Sequence, residues 1–135
     1  MVESFRCGKG EKMEEIEYFF DTYAIIEILN QNPSYEKYKD KIAMITIFNL
    51  SEIYYYCLNN LNSFGAEEIY NKYREAVVKV SDSIIKNAMK FRKINKKKDL
   101  SYSDCIGYIY ASKNNIKFLT GDKEFRGMKN VEFVK

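Results

Sequence analysis

Four acidic residues of this 135-residue chain stand in similar local settings. Asp21 ends the apolar run of "EYFFDTYAII", and Glu52 lies in "ITIFNLSEI" soon after a second such run. Asp104 lies in "LSYSDCIGYIYA", and Asp122 follows the apolar run of "IKFLTGDKEF". Each falls near the end of a candidate strand or in the first turns of a candidate helix. Taken singly, each has a plain structural reading. Asp21 and Asp122 can be helix N-caps, and Asn49-x-x-Glu52 and Ser101-x-x-Asp104 have the spacing of capping boxes. Taken together, they raise an electrostatic question. At an effective dielectric of about 20, a close carboxylate pair costs up to about 4 kcal/mol, whereas a cap contributes about 1 kcal/mol. Acids gathered at one edge must therefore stay apart, take up protons, or share a cation. An all-oxygen ligand set suits Mg²⁺ or Mn²⁺, which keep several waters and bind substrate phosphates. Such ions activate water for in-line attack on a phosphodiester and neutralise charge on the leaving oxygen.

The composition narrows the chemistry further. The chain has no His, which excludes Ser-His-Asp and Cys-His catalysis, His-ligated zinc and any ribonuclease using imidazole as acid and base. Catalysis is left to carboxylates, Lys, Tyr or an oxygen-bound metal. With 22 basic against 19 acidic residues, the net charge of +3 is compatible with nucleic acid without arguing for it. Cys7, Cys57 and Cys105 are far apart and match neither a disulfide framework nor paired zinc spacing, so reduced thiols in a cytoplasmic protein are expected. No stretch approaches membrane-spanning length. "CGKG" is not a phosphate loop, because no strand precedes it and the Lys-Ser/Thr ending is missing.

The elements that must position the acids follow from periodicity. Residues 1–15 are polar and aperiodic, and are expected to form a flexible extension before one domain over 16–135. "IEYFF", "DKIAMITIF" and "IKFLT" read as buried strands, "NVEFV" as a short last strand and "VVKVS" as a weak one. "TYAIIEILN" reads as a short helix. Leu50, Ile53, Tyr54, Cys57, Leu58 and Leu61 mark one helix face. Ala66, Ile69, Tyr70, Tyr73, Ala76 and Val77 mark another, which predicts a helical hairpin. A further helix starts at a cap on Asp82 or Ser83 and runs to about Asn95, and "SYSDCIGYIYASKNN" forms another despite Gly107. Strands alternating with helices predict a three-layer α/β/α sandwich with a central, mainly parallel sheet. Such folds bind ligands beyond the carboxyl ends of the strands, where Asp21 and Asp122 fall.

With these residues in order, the chain resembles the PIN domain family over about residues 16–135. The acids Asp21, Glu52, Asp104 and Asp122 carry the match, and the Thr-Gly-Asp-Lys-x-Phe ending is its most specific piece. The resemblance implies a Mg²⁺- or Mn²⁺-dependent endoribonuclease, with those four acids as catalytic and metal-binding residues. It also implies a hydroxyl near the site at Thr120, with Thr22 following the first acid as in many relatives. Compact members are often toxins of VapBC-type pairs, so the resemblance further implies an RNA substrate, a small antitoxin partner and a homodimer.

Two other classes remain open. One is a PIN-like module that binds RNA or protein without cutting. The other is a haloacid-dehalogenase-like phosphatase, echoed by "FFDT" and "TGDKEF". That chemistry wants an Asp two residues after the nucleophile, where Tyr23 stands. For RNA binding, Lys86, Lys90 and Lys93 share a helix face, with Lys97 and Arg92 nearby, although a solvated face is the plainer reading. Lys123 and Arg126 adjoin Asp122 and are better placed to meet a scissile phosphate. Of the twelve tyrosines, most fall on core stripes, with Tyr55 and Tyr56 as candidate surface exceptions.

Overall fold

The computed structural model describes residues 17–135, so the expected extension lies outside the described residues. Four strands form one sheet in the order β2-β1-β3-β4, every pairing parallel: β1 (Tyr18–Phe20), β2 (Ala43–Met44), β3 (Lys117–Thr120) and β4 (Val131–Phe133). Side chains alternate across the sheet as strand geometry demands. Tyr18, Phe20 and Leu119 enter one core with residues of α1 (Thr22–Leu29), α2 (Ile47–Asn60) and α3 (Ser63–Arg74). Phe19 and Phe118 enter the opposite core, with α4 (Asp82–Ile94) and α5 (Tyr102–Lys113). The predicted three-layer α/β/α sandwich is thus the observed one.

Gly107 shows why a helix interior tolerates glycine here. A Cβ at this position would come within 2.5 Å of the Phe19 ring and 3.2 Å of Phe118, so α5 lies against the sheet at a distance only a bare backbone permits. The glycine weakens the helix locally and gains close helix–sheet packing.

Several expected boundaries move. The run "DKIAMITIF" yields a strand of only two residues, because the chain turns into α2 at Ile47. Thr46 caps that helix: Asn49 donates its backbone N–H to the Thr46 hydroxyl, and Thr46 donates its own N–H to Asn49 Oδ1. The capping box is therefore Thr46–Asn49 rather than Asn49–Glu52, and Glu52 falls in the second turn. Ile45, Thr46 and Ile47 are β-branched and imitate a strand, but the cap decides. "VVKVS" forms no strand. It makes a single bridge, Val77 to Ile45, with Val78 N–H donating to the Ile45 carbonyl at 2.8 Å. Helix α4 is capped by Ser81, not by Asp82 or Ser83, since the Ser81 hydroxyl accepts the Ile84 N–H. The helical hairpin of α2 and α3 forms as expected, although Leu58 and Leu61 stay about half exposed. Pro33 opens a 3₁₀ turn (Pro33–Tyr38) that periodicity did not suggest. Cys57 and Cys105 are buried free thiols, and burial pushes Cys105 up to about 11.

Candidate active site at the sheet's switch point

Because β2 and β3 flank β1 on opposite sides, the chain reverses its direction of progress across the sheet at β1 and β3. In such folds ligands bind beyond the carboxyl ends of the strands at this point. Asp21 immediately follows β1, and Asp122 comes two residues after β3.

Thr120 joins the two acids. Its hydroxyl donates to Asp21 Oδ2 at 2.6 Å and accepts the Asp122 backbone N–H at 3.0 Å. Asp21 occupies the N-cap position of α1, yet its side chain makes no capping bond. It is 2% exposed, and among the described residues Thr120 is the sole hydrogen-bond partner found for its carboxylate. Burial drives its pKa well above the ordinary carboxylate value, and the charges of Asp104, Asp122 and Glu52 add to the rise against the Thr120 hydrogen bond. The charges of three acids, as far as 101 positions away in the chain, thus bear on Asp21.

Asp122 and Asp104 do serve as caps, as their plain readings held. Asp122 accepts the Glu124 N–H at 3.0 Å at the start of the short 3₁₀ turn Lys123–Phe125. Asp104 forms a full capping box with Ser101 at the start of α5. Burial still raises the Asp104 pKa above its ordinary value, and Asp122 and Glu52 contribute to the rise. The capping roles and the mutual repulsion of the acids coexist.

Glu52 is held from both sides. Thr22 of α1 donates to its Oε1 at 2.6 Å, and Ser103 of α5 donates to its Oε2 at 2.9 Å. Behind Thr22, fully buried Asn49 donates from Nδ2 to the Thr22 hydroxyl at 3.0 Å. Three helices thus converge on one carboxylate. Asn49 and Ser103 escaped the sequence reading. The capping signal at Thr46 marked Asn49, and the Ser101–Ser103 pair beside Asp104 marked a second hydroxyl.

Among the described residues, no three of the acids and cysteines gather closely enough to ligate one ion together. The arrangement suits a different geometry. A hydrated Mg²⁺ or Mn²⁺ is held through one or two carboxylates and its own waters, and it prefers oxygen donors. Asp21 supplies a buried carboxylate with an oxygen to spare, among acids whose mutual repulsion a cation would relieve. The residues present fit such an ion.

Of the basic candidates, Lys123 and Arg126 are exposed just beyond Asp122, Arg126 lying 4.6 Å from the Phe133 ring centroid. Lys86, Lys90 and Lys93 are exposed along α4. Tyr55 is 70% exposed as expected, while Tyr56 is half-buried and donates to Asn30 Oδ1 at 3.1 Å.

The fold is a parallel α/β/α domain with acidic residues at its switch point. A family model described as PIN domain matches residues 18–131, and the chain belongs to that family. Solved structures share the fold. A toxin–antitoxin complex from Klebsiella pneumoniae aligns with a TM-score of 0.68 at 16% identity, covering 86% of this chain and 96% of that one. VapBC2 from Rickettsia felis, bound to a DNA fragment from their promoter, aligns at 0.67 and 15%, covering 89% and 100%. VapBC-1 from nontypeable Haemophilus influenzae aligns at 0.65 and 17%, covering 87% and 96%. No curated protein matches the chain in sequence.

Proposed function

We propose that this chain is an endoribonuclease dependent on Mg²⁺ or Mn²⁺, acting in the cytoplasm as the toxin of a VapBC-type pair. The observation that carries the reading is Asp21: a buried carboxylate whose pKa is raised by burial and by the three other acids. The PIN family match and the toxin–antitoxin neighbours support the class. A small antitoxin is the proposed partner, and a homodimer the proposed assembly. No helix among the described residues is long and apolar enough to cross a membrane.

In this reading Asp21 and Asp122 would hold the ion directly, and Glu52 and Asp104 would complete the site directly or through water. When bound, the ion supplies water activation and charge neutralisation for in-line attack, leaving a 5′-phosphate and a 3′-hydroxyl. The chain's own residues do the positioning. Thr120 orients the Asp21 carboxylate and steadies the turn that carries Asp122. Thr22 and Ser103 each donate to one oxygen of Glu52, which fixes that carboxylate in place to complete the site and orient the nucleophile. Lys123 and Arg126 are the proposed phosphate contacts beside the cut, with Lys86, Lys90 and Lys93 along the flanking strand of RNA.

The test is cleavage of single-stranded RNA with and without Mn²⁺. Activity should vanish on chelation and fall at least about a hundredfold in Asp21→Asn. Wild-type cleavage by Asp21→Asn would remove the assignment. The phosphatase alternative draws no support from the PIN match, whereas a module that binds RNA without cutting is the outcome if Mn²⁺ neither binds nor activates.

A further inference from the structure

Tyr102 is the first residue of α5, two positions before Asp104, and its side chain is 60% exposed despite being aromatic. Its ring is not loose. The Arg92 guanidinium lies 4.4 Å from the ring centroid, and Arg92 Nε donates to the Leu100 carbonyl at 3.1 Å, which anchors the guanidinium to the α4–α5 loop. One side of the ring thus rests on a fixed cation while most of its surface meets solvent. The same loop carries Lys96, Lys97 and Lys98 in succession, all exposed, and stays net positive with Asp99 included. Lys98 Nζ donates to the Glu124 carbonyl at 3.3 Å, tying this basic loop to the turn that begins at Asp122.

Resting on the nuclease reading above, we infer that Tyr102, backed by Arg92, is a stacking platform for an unpaired base of the RNA substrate, with Lys96 and Lys97 meeting the adjoining phosphates. Residues two apart on a helix are rotated by about 200° about its axis and so point to nearly opposite sides. Tyr102 lies on the α4 side of α5's first turn, against Arg92, while Asp104 caps the helix start and its neighbour Ser103 reaches Glu52. That offset suits a nucleotide flanking the scissile bond rather than the one being cut. Aromatic stacking accepts any base, because every base has a π-face, and a guanidinium beneath the ring adds cation–π attraction. A pre-anchored ring also loses little freedom when the base arrives. Among the exposed aromatics of the described residues, Tyr102 combines a fixed cation with a neighbouring basic loop.

The experiment measures single-stranded oligonucleotide binding by fluorescence anisotropy in EDTA, so that nothing is cut. Tyr102→Ala should weaken binding about tenfold, the scale of one lost stacking contact, and Tyr102→Phe should retain it. An oligonucleotide with one abasic position should erase the difference between wild type and Tyr102→Ala at one register only. Replacing both Lys96 and Lys97 by Ala should lower the salt slope of binding by about 1.4. If the wild type cleaves RNA while Tyr102→Ala binds intact oligonucleotide equally tightly, the platform is overturned and the nuclease stands; the ring is then a surface for a protein partner or nothing at all. A wild type that neither binds nor cleaves overturns both readings.

Discussion

Replacing Asp21 by Asn removes one charge from among the four acids with almost no change of shape. The Thr120 hydroxyl, which donates to Asp21 Oδ2 at 2.6 Å, can donate equally to the amide oxygen of Asn. Charge is then the main variable. A charged neighbour about 8 Å away costs about 2 kcal/mol at an effective dielectric of about 20, and Asp21 has three acidic neighbours besides its burial. Relaxation of the side chains and solvent offsets part of this, so a gain of about 1–2 kcal/mol is expected for metal-free Asp21→Asn at neutral pH. For a domain of this size that raises Tm by about 3–8 °C. Mn²⁺ should raise the wild-type Tm and leave the variant nearly unmoved, since only a protein that binds the ion gains from it. The assay is thermal unfolding in EDTA and in millimolar Mn²⁺, beside RNA cleavage. A metal-free Asp21→Asn that melts several degrees below wild type would refute the reasoning. It would show that the carboxylate is a net structural asset and that its neighbours exert no repulsion worth relieving.

The raised pKa values of Asp21 and Asp104 set a pH dependence of the metal-free protein. Because the folded state binds these protons more tightly than the unfolded chain, their contribution to stability should be fully present below the ordinary carboxylate value of 3.8 and be lost as pH rises through the raised values; a Tm series in EDTA, compared with Asp21→Asn, checks the sign. Ser103→Ala removes one of the two hydroxyls on Glu52 and should weaken Mn²⁺ binding about tenfold by calorimetry, with Ser103→Thr restoring it; unchanged affinity would leave Ser103 a purely structural contact. Gly107→Ala should cost about 1–3 kcal/mol despite alanine's better helix propensity, because its methyl meets the Phe19 ring, and chemical denaturation would read this directly. Lys123→Ala and Arg126→Ala should each weaken RNA binding while reducing its salt slope by about 0.7, measured across a salt series.

Much of the architecture was legible in the chain because it rests on short-range rules. Apolar runs, three- and four-residue periodicities and the Ser101-x-x-Asp104 cap are local, and the three-layer parallel sandwich follows from their alternation. The errors were local too. Ile45, Thr46 and Ile47 serve a strand or the start of a helix equally well, and the reciprocal Thr46–Asn49 bonds settled the choice. "VVKVS" has strand composition, but beside a two-residue β2 it makes one bridge and no ladder.

The sequence by itself determined which residue types are available for chemistry: four acids in matching settings, each also readable as a cap, and no imidazole. Only the tertiary structure decided that the strand ends and helix starts carrying these acids lie side by side, because the strand order β2-β1-β3-β4 is a long-range pairing that no local window encodes. It also decided how each carboxylate is held. Thr120 binds Asp21 across 99 positions and Ser103 binds Glu52 across 51. Hydrogen bonds of that span exist only once two cores have packed on opposite faces of the sheet and brought the strand ends and helix starts together.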